Sequence, residues 1–204
     1  IDKVEVEFLG GIANHDTRLL GIAVQAGLLS GHTEEEVNLV NAPQMAEDRG
    51  IEISETKVTT AEEFTDLVRV TIQSGDESVS VAGTTVGPRN VPYLVSIWDQ
   101  SFYLPFAEHM AVFRYSDQPG MIGRVGSAFG DNGVNIGSAA VGAAAEDFDK
   151  AWVMIAVTAA IAGAFATSFI LGAVFDYRAP EQKAAARRQG SDLEEAPVVE
   201  TRVI

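Results

Sequence analysis

Arg114-Tyr115-Ser116-Asp117-Gln118-Pro119-Gly120-Met121-Ile122-Gly123-Arg124-Val125-Gly126, running on to Gly133-Val134-Asn135-Ile136, is the stretch whose reading decides the fold. Before it, Met110 to Phe113 reads as an apolar strand, ending in a polar turn where Pro119 fixes φ and Gly120 frees it. A helix then starts with its first N–H groups unpaired, which makes a cradle for a small anion. The spacing places Met121, Ile122, Val125 and Phe129 on one helix face and closes the helix at Gly130 or Gly133. The chain returns into a strand beginning Val134-Asn135-Ile136. Such a strand, loop and helix start can hold the carboxylate of an amino acid on backbone N–H groups, while Asp117 and Asn135 offer side-chain partners for an ammonium or hydroxyl.

Outward on the C-terminal side, Ala143 to Asp149 is a loop of small and acidic residues, and Trp152 to Val157 reads as a third strand. Ala151 to Phe175 contains no charged residue, about the length a helix needs to cross ~30 Å of hydrocarbon. Arg178, Lys183, Arg187 and Arg188 follow, the positive flank expected on a cytoplasmic side. Two readings stand side by side. One is a span over 151–175. The other is a sheet strand at 152–157, an apolar insertion over 159–175, a helix from Pro180 to Arg188, and a closing strand from Pro197 to Val203.

On the N-terminal side, Val4, Val6 and Phe8 alternate with Lys3, Glu5 and Glu7, a half-buried strand ended by Gly10-Gly11. His15-Asp16-Thr17 caps a helix whose apolar face is Leu19, Leu20, Ala23, Val24 and Leu28. Thr33, with Glu36 as capping-box partner, predicts a second helix burying Val37, Leu39 and Val40, interrupted at Pro43. A short helical piece then runs to Arg49 and ends at Gly50. From Ile51 the period changes to two: Ile51 and Ile53, Leu67 to Ile72, and Val79 and Val81 are strands, with Ser74-Gly75-Asp76 as a hairpin turn. Gly83 to Pro92 is too rich in glycine and proline for regular structure. Tyr93 to Trp98 and Phe102 to Phe106 form another strand pair. The fold class is therefore α+β, in two small antiparallel-sheet domains over 1–107 and 108–204.

Composition narrows the function. Residues 1–110 hold six Lys or Arg against eighteen Asp or Glu, a net of −12 out of −15 for the whole chain. That surface repels phosphate backbones, so nucleic acid is excluded as a partner. With no cysteine there is no disulfide, thiolate metal site or cysteine nucleophile, in keeping with a reducing compartment. His15, His32 and His109 lack ligand spacing, so no metal is expected. Gly120, Gly123 and Gly126 recur every third residue, unlike a dinucleotide fingerprint, and no Gly-x-Ser-x-Gly elbow occurs. No catalytic constellation is present. Ile1 is no initiator and Asp2-Lys3 opens no apolar leader, which reads as no signal peptide and as a fragment of a longer chain.

Asp117 to Gly123 followed by Gly133 to Ile136 resembles the start of an ACT domain, the βαββαβ, ferredoxin-like module that binds amino acids in regulated enzymes. Glu35 to Pro43, Ala46 to Ile51 and Gly83 to Arg89 resemble the allosteric substrate-binding domain of long-type D-3-phosphoglycerate dehydrogenase, and together the matches cover roughly 1–158. The resemblance implies the regulatory part of an enzyme that oxidises 3-phosphoglycerate with NAD in L-serine biosynthesis, with the nucleotide-binding and catalytic domains outside this chain. It implies no cofactor in this chain and a cytoplasmic, self-associating protein, a dimer or tetramer. L-serine would sit between two ACT modules at Tyr115, Asp117, Pro119, Gly120, Met121, Ile122 and Asn135. It further implies an anion pocket at Lys57, Arg69 and Arg89, the first two on adjacent expected strands. A helix cap at Asp117, a satisfied turn at Asn135 and ordinary surface ion pairs for the cations are the plainer alternatives. A membrane-anchored binding or accessory subunit with a span at 151–175 is the rival function. The small chain of L-serine dehydratase has a similar plan, but its Ser-Ser-His-Thr segment is missing here.

Overall fold

The computed structural model describes residues 1–142 except Gly31, Asp99, Glu108, Asp117 and Gln118, and two further strands at 152–160 and 201–203. The chain divides into two compact units, Ile1–Asp99 and Gln100–Ile204. The expected seam at 107–108 falls between the strands that precede and follow it, Gln100–Pro105 and Met110–Ser116.

In the first unit, strand β1 (Lys3–Gly10) has the period the sequence dictates: Val4, Val6 and Phe8 are fully buried, while Lys3, Glu5 and Glu7 are half-buried on the opposite face. Helix α1 (Arg18–Leu29) and helix α2 (Ala42–Asp48) follow, and strand β2 (Glu52–Val58) returns beside β1. The pair is parallel, Val4 opposite Ile53 and Phe8 opposite Lys57. This corrects the purely antiparallel expectation. The two helices supply the crossover that parallel neighbours require, so the sheet is mixed. Strands β3 (Asp66–Ser74), β4 (Glu77–Val86) and β5 (Val91–Ile97) extend it antiparallel from the other side of β1. The strand order within this unit is β2-β1-β3-β4-β5, and β6 (Gln100–Pro105) opens the second unit. Val24 and Leu28 from α1 pack on Val4, Val6 and Phe8 together with Ile53, Val68, Val70 and Ile72, so one sheet face is apolar and covered.

Three local expectations are corrected in this unit. Leu19, Leu20 and Ala23 face outward. The covered side of α1 is instead Gly21, Val24 and Leu28, where the helix runs so close to Glu55 that a Cβ on Gly21 would overlap its carboxylate at 2.0 Å. No helix forms over 33–40. The Asn38 side chain accepts from the N–H of Val40 (2.8 Å) and of Asn41 (3.1 Å), and the Asn41 side chain accepts from the N–H of Asn38 (2.8 Å), so side chains capture the donors a helix would use. Val40, expected to be buried, is 91% exposed. Gly83 to Pro92 is mostly strand: β4 reaches Val86, β5 starts at Val91, and the glycine at 83 accompanies a register shift rather than ending the strand.

The second unit follows the βαβ pattern of the opening stretch. Strand β7 (Met110–Ser116), helix α3 (Met121–Asp131) and strand β8 (Asn135–Gly142) are joined by strands β9 (Trp152–Ala160) and β10 (Thr201–Val203) in an antiparallel sheet of order β10-β7-β9-β8. Numbered within the unit this is 4-1-3-2, the ferredoxin-like arrangement. Phe113 and Tyr115 from β7 pack with Val125, Phe129 and Val134, and the rings of Phe113 and Phe129 meet edge to face at 6.1 Å. Helix α3 ends in a Schellman motif: Val134 N–H donates to Phe129 O (2.9 Å) and Gly133 N–H to Gly130 O (2.9 Å), with Val134 packed on Phe129.

The membrane reading is overturned here. Trp152–Ala160 is a strand, paired with β7 on one side and β8 on the other, so these residues belong to the sheet and not to a membrane-crossing helix or an insertion. Among the described residues no helix is long and apolar enough to cross a membrane. The remainder of the expected insertion, the helix at 180–188 and the start of the closing strand lie outside the described residues.

Candidate functional site

The turn into α3 has the local chemistry the sequence demands. Gly120 is its N-cap at φ 90° and ψ 0°, a left-handed conformation that lets the chain reverse within one residue. It has no side chain to cap with, and its carbonyl accepts the N–H of Arg124 (3.0 Å), which closes the first turn. Pro119 and Gly120 are both exposed at the start of the helix, where the first-turn N–H groups have no partner within the helix itself. Met121 is half-buried and packs against the core of Phe113, Val125 and Phe129, while Ile122 is 64% exposed. Ile122 therefore leaves the buried face assigned to it, because positions 121, 125 and 129 already fill the 3.6-residue stripe. Tyr115 is part of that same core. Asp117 lies outside the described residues.

Asn135 is not beside this turn. Along β9, Ser116 at the end of β7 is paired with Trp152, whereas Asn135 at the start of β8 is paired with Ala160. Eight strand residues at ~3.3 Å each separate the two levels by roughly 26 Å. Within one copy, the turn and Asn135 occupy opposite ends of the sheet.

The three cations of the first unit do not converge either. β1 runs between the strands that carry Lys57 and Arg69. Lys57 is registered with Phe8 and so belongs to the helix-covered face, where its Nζ donates to His15 O (3.1 Å). Arg69 is registered with Glu7 on the open face, and its Nη1 donates to Glu7 Oε2 (3.1 Å) with both side chains half-exposed. Arg89 is exposed in the turn between β4 and β5. At the start of α1, Arg18 Nε donates to Asp16 Oδ1 (2.9 Å), and this bond holds the Asp16 carboxyl at about 2, below the usual carboxylate range.

A second feature escaped the sequence reading. On the open face of the first sheet, Arg69, Thr71, Ser78, Ser80 and Trp98 line a half-open cavity of about 410 Å³. Its signal was present but diffuse: Glu5, Glu7, Arg69, Thr71, Ser78 and Ser80 alternate along β1, β3 and β4 on that face, while Leu9, Leu67 and Ala82 on the same face join an apolar cluster at its other end.

Comparison with known proteins agrees with both units. Residues 1–98 match the family described as the D-3-phosphoglycerate dehydrogenase intervening domain, and residues 109–165 match the ACT domain. A D-3-phosphoglycerate dehydrogenase of Archaeoglobus fulgidus is 34% identical over 142 residues, which is 70% of this chain and 27% of that protein. One from Mycobacterium leprae is 34% identical over 138 residues, 67% of this chain and 26% of that protein. One from Bacillus subtilis is 31% identical over 144 residues, 70% and 27% respectively. The chain thus spans about a quarter of the length of these relatives. Two domain matches in series, a four-stranded sheet in 4-1-3-2 order and relatives of one name place the chain in the D-3-phosphoglycerate dehydrogenase family, as an intervening domain followed by an ACT domain.

Proposed function

We propose that this chain is the regulatory portion of a D-3-phosphoglycerate dehydrogenase and that its ACT unit senses L-serine between two copies. The observation that carries the reading is the register of the second sheet. The helix start at Gly120 and an exposed amide at Asn135 lie at opposite ends of β7 and β8, roughly 26 Å apart in one copy. Two copies related by a two-fold axis, with β8 alongside β8, run those strands antiparallel. The Asn135 end of one copy then meets the turn end of the other, and the site is complete only across the seam. The α3 first-turn N–H groups would take the serine carboxylate, with Asp117 and the partner copy's amide taking its ammonium and hydroxyl. Serine that binds one arrangement of the pair more tightly would shift the population toward it, which is how the site would act on attached domains.

The whole protein's reaction, NAD-dependent oxidation of 3-phosphoglycerate in a cytoplasmic oligomer, belongs to the same proposal, and no residue of this chain is assigned a step in it. An anion function for Lys57 or Arg89 would have to be separate at each residue, since the fold spreads them apart.

Calorimetric titration of the chain with serine, glycine and 3-phosphoglycerate tests the reading, and mixing variants tests the seam. Asp117→Ala and Asn135→Ala should each abolish serine binding alone. Mixed and allowed to exchange, they should regain it at one site in each mixed dimer, because one seam then carries both native residues. Unchanged binding in either variant removes the site assignment, and no recovery on mixing removes the shared seam.

A further inference from the structure

The C-terminal end of helix α3 is built on a chemically labile pair of residues. Of the six asparagines in the chain, only Asn132 is followed by a glycine. Gly133 has no Cβ to hinder attack by its own nitrogen on the preceding side chain. The fold engages both reacting groups elsewhere: the Gly133 N–H donates to Gly130 O (2.9 Å), and Asn132 Nδ2 donates to Ala128 O (2.8 Å), one turn back along the helix. The motif is fastened by Val134, which is 6% exposed, packs on Phe129 and donates its N–H to Phe129 O (2.9 Å).

From this arrangement we propose that Asn132 is a latent site of spontaneous deamidation, kept closed by the Schellman motif and exposed to reaction only when the end of α3 opens. In the open form hydroxide removes the Gly133 N–H proton, and the nitrogen forms a bond to Asn132 Cγ. The Cγ–Nδ2 bond breaks, and ammonia leaves with a proton taken from water. Water then opens the cyclic imide. Cleavage of its N–Cγ bond gives aspartate, and cleavage of the bond from nitrogen to the Asn132 carbonyl carbon gives isoaspartate, whose main chain runs through Cγ. The sum is one water consumed and one ammonia released, with no change of oxidation state. Either product weakens the catch that had prevented it. The amide that donated to Ala128 O becomes a carboxylate beside Asp131, at the negative end of the helix. Isoaspartate also lengthens the main chain between Phe129 and Val134, the two residues the motif ties together.

Incubation of the full chain at mildly alkaline pH, with peptide mapping by mass spectrometry and chromatographic separation of isoaspartate, tests the proposal. In guanidinium chloride Asn132 should convert faster than any other asparagine. In buffer it should convert at least ~10-fold more slowly, an opening free energy of about 1.4 kcal/mol or more. Val134→Ala, which trims the apolar contact fastening the motif, should raise the rate in buffer at least ~3-fold in a chain whose circular dichroism remains that of the folded parent. Trp98 and Trp152 are the two tryptophans of the chain, so Trp98→Phe leaves Trp152 as reporter of the second unit, and Trp152→Phe leaves Trp98 for the first. In the Trp98→Phe form, Asn132→Asp should lower the urea midpoint. Equal rates in buffer and denaturant, faster conversion of another asparagine in denaturant, an unchanged rate in Val134→Ala, or an unchanged midpoint in Asn132→Asp would each overturn the inference.

Discussion

Among the described residues, the two long helices begin in opposite ways. Helix α1 brings its own anion: Asp16 accepts the N–H of Arg18 (3.1 Å) and binds the Arg18 side chain, so the positive end of the helix is already occupied. Helix α3 starts at a glycine with no capping side chain. A start capped by its own side chains serves the crossover between parallel strands, and the glycine start beside the exposed Pro119-Gly120 bend is the one to which the proposed serine site is assigned.

Each unit also has its own core, and the largest expected effect tests whether the comparison between them holds energetically. Phe8 is fully buried in the first unit, and Phe129 is 2% exposed in the second. Truncating either to alanine should cost about 3–5 kcal/mol. Trp98 belongs to the first unit and Trp152 to the second, so urea unfolding followed in the single-tryptophan forms assigns each loss. Phe8→Ala should lower chiefly the Trp98 midpoint and Phe129→Ala chiefly the Trp152 midpoint. Equal shifts of both midpoints by either variant would show that the units unfold as one.

Left-handed glycines give a middle-sized contrast. Gly10 has φ 88°, and a Cβ there would lie 2.1 Å from the backbone carbonyl of Thr65, an atom that cannot swing away. Gly120 has φ 90°, yet among the described residues a Cβ there would meet nothing within 4 Å. Gly10→Ala should therefore cost roughly 3 kcal/mol, from strain and overlap together. Gly120→Ala should cost roughly 1–2 kcal/mol, from the conformation alone. Denaturant midpoints compare them directly, and a Gly120 variant as damaging as the Gly10 variant would mean that the turn is crowded.

The sequence was most legible where periodicity and burial coincide. The alternation of β1, the hairpin at Ser74-Gly75-Asp76 and the strand-turn-helix-strand run from Met110 to Gly142 could all be read from residue order, because local spacing alone sets which side each residue faces. It was least legible where side chains compete with the backbone or where register over long separations decides. Asn38 and Asn41 dismantle the helix that Thr33 and Glu36 announce in the sequence. Lys57 and Arg69 look like neighbours until β1 is inserted between their strands. Asn135 follows the turn by only fifteen residues beyond Gly120, yet pairing along β9 places it at the far end of the sheet. The groove at Trp98 needed two strands and a left-handed residue just past a third to assemble, and no local pattern encodes that.

The smallest expected effect sharpens the contrast between the helix starts. The Asp16 carboxyl is held at about 2, chiefly by its side-chain bond to Arg18, so in the folded state it binds a proton less readily than in the unfolded chain. Its contribution is accordingly present above the ordinary carboxylate value of 3.8 and disappears as pH falls from there through about 2. Both side chains are exposed, at 84% for Arg18 and 60% for Asp16, so solvent screens the pair and the contribution is small. Asp16→Asn should therefore lower the melting temperature slightly at pH 7, more at low salt than at high salt, and should match the parent near pH 2. A penalty that persists unchanged at pH 2 would assign the role of Asp16 to its neutral hydrogen bond with the Arg18 N–H rather than to its charge. In that case α1 would be capped by geometry alone, and its charge would no longer set it apart from the glycine start of α3.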